Sequence, residues 1–159
     1  MIFVAVGTQK FPFNRLLKGI DDLIEQDRLE GDIFAQIGHS DYVPRNYKYK
    51  DFLSKDDFQS CISNCEVLVT HSGVATIIAG MKMEKPVVVV PRFACYAEHV
   101  DDHQLQIAES FADKNLVLMC KNVDKLGELV EEAKKHTFSQ YVSRKDRVVS
   151  TIRDYLETL

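Results

Sequence analysis

No stretch of this 159-residue chain approaches the ~20 consecutive apolar residues needed to cross a bilayer. Any membrane role would have to come through a partner. Positive charge is also scarce: 20 lysines and arginines stand against 24 aspartates and glutamates, a net charge of −4. That balance argues against nucleic acid as a partner, since binding by bulk electrostatics needs a basic face. There is no glycine-rich loop ending in Lys-Ser/Thr and no GxGxxG, so neither ATP hydrolysis nor NAD chemistry is indicated. Internal repeats, low-complexity segments and linkers are absent too. The first residues, MIFVAVGT, read as a strand and not as a secretory signal peptide. With four cysteines (Cys61, Cys65, Cys95 and Cys120), the expectation is a cytoplasmic protein with reduced thiols.

What is present is an ordinary globular balance, 45% hydrophobic and 28% charged, over a length that fits one domain, residues 1–159. The organising stretch runs from Val67 to Gln104. Residues 67–69 form a short apolar run ending at Thr70-His71-Ser72-Gly73, after which the period becomes helical. A second apolar run, residues 87–90, follows Pro86 and stops at Pro91. This is a strand–turn–helix–strand unit of a parallel sheet. Residues 2–6 make a further strand, expected inside the sheet, followed at once by Gly7-Thr8-Gln9 and a helix opened by Pro12. Further strands are expected at 33–37, at 47–52 near an edge, and at 116–119. Helices are expected at 56–64 with Ser54 as cap, at 101–113 and at 123–135. Residues 140–159 carry an amphipathic stripe of Val148, Val149, Ile152, Leu156 and Leu159, either core packing or a partner face. The pattern predicts a doubly wound α/β fold with about five or six parallel strands.

Ligands of such sheets sit outside the carboxyl ends of the strands. Gly7-Thr8, Gly38-His39-Ser40 and Ser72-Gly73 through Thr76 should therefore share one rim. Free N–H groups at a helix start, with the positive end of the helix dipole, suit an anion such as a diphosphate. Gly73 lets the backbone come close, Thr76 adds a hydroxyl and His71 can donate to a phosphate oxygen. Any one of these turns alone is an ordinary strand-to-helix connection; together they favour a nucleotide site. The densest polar cluster is Glu98-His99-Val100-Asp101-Asp102-His103-Gln104. It admits three readings: a solvated helix start, a metal chelate by His99 and His103 with Glu98 or Asp102, or sugar and phosphate recognition by Asp102, His103 and Gln104. No second ligand set is visible, so no metal site is expected.

At VGTQ-FPF, QIGHS, VTHSGVAT, KPVVVVPR and EHVDDHQ the chain resembles the C-terminal, nucleotide-sugar-binding half of family 28 GT-B glycosyltransferases. It is similar above all to the split members, the small catalytic subunits of two-component enzymes of capsule and exopolysaccharide synthesis. It also resembles the soluble subunit of the dolichol-pathway UDP-N-acetylglucosamine transferase. The resemblance implies that Gly7, Thr8 and Gln9 face the donor diphosphate, while Ser72, Gly73 and Thr76 hold it with His71 adjacent. It places the Phe52 loop near uracil and His103-Gln104 against the transferred sugar. Ala79 stands where many relatives carry a glutamate for the ribose hydroxyls. The implied reaction is inverting transfer of a hexose from a UDP-sugar, a substrate and not a cofactor, to a lipid-linked saccharide. A membrane-anchored partner subunit would supply the other half, draw the chain to the inner face of the membrane and provide the general base. Without a base from the partner, His71, His99 and His103 are the local candidates. Two other readings stand beside this one. One is a non-catalytic nucleotide-sugar-binding or stabilising subunit. The other, a stand-alone epimerase with GT-B architecture, needs both halves in one chain, against which the length speaks.

Overall fold

A computed structural model of the protein describes residues 1–142 and Leu156. Six strands form one sheet: β1 (Ile2–Ala5), β2 (Ile33–Gln36), β3 (Lys48–Lys50), β4 (Val67–Thr70), β5 (Val87–Val89) and β6 (Leu118–Met119). Every neighbouring pair is parallel, and the spatial order is β3-β2-β1-β4-β5-β6. Helices α1 (Asn14–Glu25), α2 (Lys55–Asn64), α3 (Val74–Lys82), α4 (His103–Asp113) and α5 (Leu126–Lys135) cover its faces.

The expected doubly wound sheet is thus present, with β1 at its centre. β1, β4 and β5 are buried along their whole length, which is why they read as unbroken apolar runs. Alternation sorts their side chains. Val4, Val67, Val69 and Val88 join Leu16, Leu17 and Ile20 of α1 and Leu126 and Val130 of α5 in one core. Phe3, Ala5, Leu68 and Val87 join Ile62 of α2, Ile77 of α3 and Ala108 of α4 in the other. Burying each large aliphatic side chain is worth about 1.5–3 kcal/mol, so each face is held by many such contributions.

Several boundaries differ from those expected. The strand expected at 47–52 shrinks to Lys48–Lys50, because this edge strand is exposed at all three positions and only its β2 pairing holds it. The last strand shortens to Leu118–Met119. The fourth helix begins at His103 and not at Asp101. There Asp101 accepts from the His103 amide at 2.9 Å and Asp102 from the Ala94 amide at 2.9 Å, so both acids belong to the preceding loop. Ser54 caps α2 as expected, accepting from the Asp57 amide at 3.1 Å. Apart from Leu156, which is exposed, the stripe expected in the tail lies outside the described residues.

Candidate functional site

The direction of winding reverses between β1 and β4, and the loops leaving these two strands open a crevice at the top of the sheet. The loop after β1 carries Gly7 at φ +85°, a left-handed value that glycine adopts without penalty. The loop after β4 carries His71, Ser72 and Gly73, the last being the N-cap of α3. The two glycines share a neighbour. A Cβ on Gly7 would lie 2.4 Å from His71 Nε2, and one on Gly73 would lie 2.5 Å from His71 Cε1. The imidazole edge therefore fills the space that both missing side chains leave. No side chain caps α3, so the amides of its first turn face the crevice without a partner from a cap.

A cavity of about 610 Å³ occupies this point. Gly7, Thr8 and Gln9 line it from one side, and His71, Gly73 and Thr76 from the other. The structure thus brings six of the predicted residues around one space. Ala79 lines it as well. Sequence reasoning missed Gln36, Leu53, Lys55, Phe58 and Gln59, which also line it. Lys55 and Gln59 are four residues apart on α2, hence on one helix face, the signal that could have marked them.

His71 is 6% exposed. Burial, reinforced by the nearby Arg92 charge, pushes its pKa down to about 4, so the ring is neutral at physiological pH. A group with so low a pKa accepts a proton poorly at pH 7, which bears on its candidacy as a general base. It remains a hydrogen-bond donor beside the α3 terminus. Arg92, 1% exposed, was not singled out from sequence. Its guanidinium donates to the carbonyls of Phe11 (2.7 Å) and Glu98 (3.1 Å) and to that of Val6, and it lies over the Phe13 ring. Burial lowers its pKa to about 10, which leaves it charged at pH 7. Glu98 receives a two-pronged contact from Arg15, 3.0 Å on each oxygen, and the Phe93 amide at 3.1 Å. These buried charges knit the loops after β1 and β5 together.

The remaining predicted residues lie elsewhere on the rim. Gln104 does not face the cavity as expected. Its Oε1 accepts from the amides of Ser72 (3.3 Å) and Arg92 (3.0 Å), and its Nε2 is 3.2 Å from His71 Nδ1. His103 is exposed, with Nδ1 3.3 Å from Gln106 Oε1. Phe52 is exposed and meets His39 edge-on, ring centroids 5.1 Å apart. Ser72 is buried, and its Oγ has no partner among the described residues. Among the described residues no three histidine, cysteine or acidic side chains converge as metal ligands, so the chelate reading of His99 and His103 finds no third donor. His99 Nδ1 instead sits 3.2 Å from Asp101.

An all-parallel sheet in this order, with two glycine turns meeting at its switch point, is a doubly wound, Rossmann-like domain. The Glycosyltransferase family 28 C-terminal domain matches residues 1–159, and the chain belongs to that family. Solved structures agree on the fold. The glycotransferase of kitacinnamycin superimposes with a TM-score of 0.64 at 19% identity, covering 85% of this chain and 35% of that one. SnogD from Streptomyces nogalater gives 0.59 at 14% identity, covering 83% and 34%. MurG from Acinetobacter baumannii gives 0.53 at 18% identity, covering 85% and 45%. The chain therefore covers between about a third and just under half of these glycosyltransferases. A search of curated protein sequences finds no match. Among the described residues no helix is long and apolar enough to cross a membrane.

Proposed function

We propose that this chain is the donor-binding, catalytic subunit of a two-component inverting glycosyltransferase that moves a hexose from a UDP-sugar to a lipid-linked saccharide. The observation that carries this reading is the convergence of two glycine turns and the α3 N-terminus on one cavity. The acceptor hydroxyl oxygen bonds to the anomeric carbon, the bond from that carbon to the diphosphate oxygen breaks, and UDP leaves with the electron pair. The charge that develops on the leaving diphosphate meets first-turn amides of α3, the Thr76 hydroxyl and the His71 ring, a preorganised anion site. Gly7, Thr8 and Gln9 line its other side, and Lys55 adds a positive charge from α2.

The hydroxyl proton needs a base. We assign the base to a membrane-anchored partner carrying the other half, a reading the depressed pKa of His71 supports. That partner also binds the acceptor and brings this subunit to the inner face of the membrane during capsule or exopolysaccharide synthesis. Phe52 and Leu53 approach the base of the nucleotide, and His103 contacts the sugar. Calorimetric titration with UDP, UDP-glucose, UDP-galactose and UDP-N-acetylglucosamine tests the donor site. Uridine nucleotides are expected to bind, and Thr76→Ala to weaken binding by roughly tenfold, the worth of one hydrogen bond to a charged group. No heat from any of them at millimolar concentration, or an unchanged affinity in the variant, removes the proposal. In the reconstituted pair, Thr76→Ala and His103→Ala should abolish transfer without dissolving the complex; surviving activity would favour a non-catalytic, stabilising subunit.

A further inference from the structure

We infer that Gln104 is a positioning residue that holds His71 as the Nε2–H tautomer, so that the ring presents a hydrogen and no lone pair to the anion in the crevice. The inference rests on the donor-site reading for its consequence, but its structural content stands on the hydrogen-bond geometry alone. The two ends of the Gln104 amide are told apart by their neighbours. Oε1 lies 3.3 Å from the Ser72 amide and 3.0 Å from the Arg92 amide, and backbone N–H groups only donate. That end must be the carbonyl oxygen. The other end is then NH2, which only donates, and it lies 3.2 Å from His71 Nδ1. Nδ1 must therefore offer its lone pair, and in a neutral ring the hydrogen resides on Nε2.

Nε2, together with Cε1, fills the gap between Gly7 and Gly73. Enclosed side-chain polar atoms without a partner among the described residues are Ser72 Oγ and Arg92 Nε. His71 Nε2 is not one of them, and His71 lines the cavity. The charged or titratable groups acting on the ring are Arg92 and His99, both from the stretch between β5 and α4. The Arg92 guanidinium opposes a second proton on the imidazole. The ring thus acts as a fixed neutral donor. Gln104 reaches it across 33 residues of sequence while tying the Ser72 and Arg92 amides, so the loops after β4 and β5 are set by the same side chain.

A merely structural tie would not care which ring nitrogen holds the hydrogen, and this separates the two roles. Gln104→Glu keeps the shape and an acceptor for both amides but replaces the NH2 by an oxygen, which calls for a hydrogen on Nδ1. Long-range proton–nitrogen correlation spectra of the full chain at pH 7, with His71 assigned by its loss in His71→Gln, should show the Nε2–H form in the native protein. In Gln104→Glu, Nδ1 should become protonated with the melting temperature largely kept. Binding of UDP-glucose, whose diphosphate does not titrate near neutrality, should become pH-dependent in that variant. Its affinity should fall roughly tenfold between pH 6 and pH 8, as loss of the proton on Nε2 removes one hydrogen bond to a charged group. An Nδ1–H or doubly protonated ring in the native protein, or an unchanged tautomer in Gln104→Glu, overturns the inference. Should that variant not fold, the native spectrum alone decides. Failure of UDP-glucose to bind the native protein would count against the donor site and leave the tautomer measurement to stand by itself.

Discussion

His71 links the crevice to the stability of the whole domain. Its pKa falls from an ordinary 6.5 to about 4 because burial, and then Arg92, disfavour the charged ring. Between those two values the unfolded chain binds a proton that the folded one does not. Stability therefore falls as pH drops below the unfolded pKa and has lost the full contribution near pH 4, up to about 3 kcal/mol. His71→Gln should remove about 2 kcal/mol of the stability lost between pH 7 and pH 5, measured by urea denaturation at each pH. An unchanged slope would mean that the ring is already charged or already exposed. Asp21 makes a comparable case without titration. Fully buried, it accepts from the Tyr42 hydroxyl (2.6 Å), the amides of Arg45 and Asn46 (2.9 Å each) and the Asn46 side chain (3.1 Å). Burial and this acceptor push the Tyr42 phenol up to about 12. Asp21→Asn puts an NH2 against groups that donate, and should cost about 2–4 kcal/mol in urea denaturation.

At the scale of elements, α3 carries two glycines with opposite duties. Gly80 faces the sheet, where an added Cβ would meet Leu68 Cδ2 at 2.7 Å and Val87 Cγ2 at 2.9 Å. Gly73 faces the His71 ring at 2.5 Å. Gly80→Ala should lower the melting temperature, by strain of about 1–3 kcal/mol, and leave UDP affinity in the surviving fold nearly intact. Gly73→Ala should cost comparable stability although φ at −77° suits alanine, and should add a loss of UDP binding of tenfold or more as the ring is displaced. Calorimetry and thermal melts on both variants check the pair. The same contrast explains what was legible in the sequence. β1, β4 and β5 are apolar on both faces, so they could be read directly, and with them the two turns that meet at the crevice. β3 is a Lys-Tyr-Lys edge held by backbone pairing, which leaves little trace in side-chain pattern. Arg92 follows a proline and resembles a surface cation, although its partners are carbonyls from Val6, Phe11 and Glu98. Gln104 sits in a segment that was singled out, but its contacts lie 12 to 33 residues away, beyond any local periodicity.

At the scale of the whole molecule, the doubly wound sheet accounts for 35%, 34% and 45% of the glycosyltransferases it superimposes on. The crevice at the β1/β4 switch point is open on its outer side. Thr8, Gln9, Lys55 and Gln59 around it are exposed to solvent. Transfer chemistry in such a setting suffers in two ways. Water weakens every electrostatic contact to the leaving diphosphate, and it competes with the acceptor hydroxyl for the anomeric carbon. Under the proposed function, a second surface would close the crevice, and the same surface would bring the acceptor and the base. The isolated chain should bind UDP weakly and turn over a UDP-sugar slowly, with hydrolysis as the dominant product. Co-expression with a membrane-anchored partner should raise transfer by at least two orders of magnitude, the scale of a contribution from general base catalysis. Radiolabelled sugar transfer into lipid extracts, measured for the chain alone and for the purified pair, reads both quantities. Vigorous transfer by the monomeric chain would show that its own residues close the site and supply the base, and would return His103 to consideration for that role.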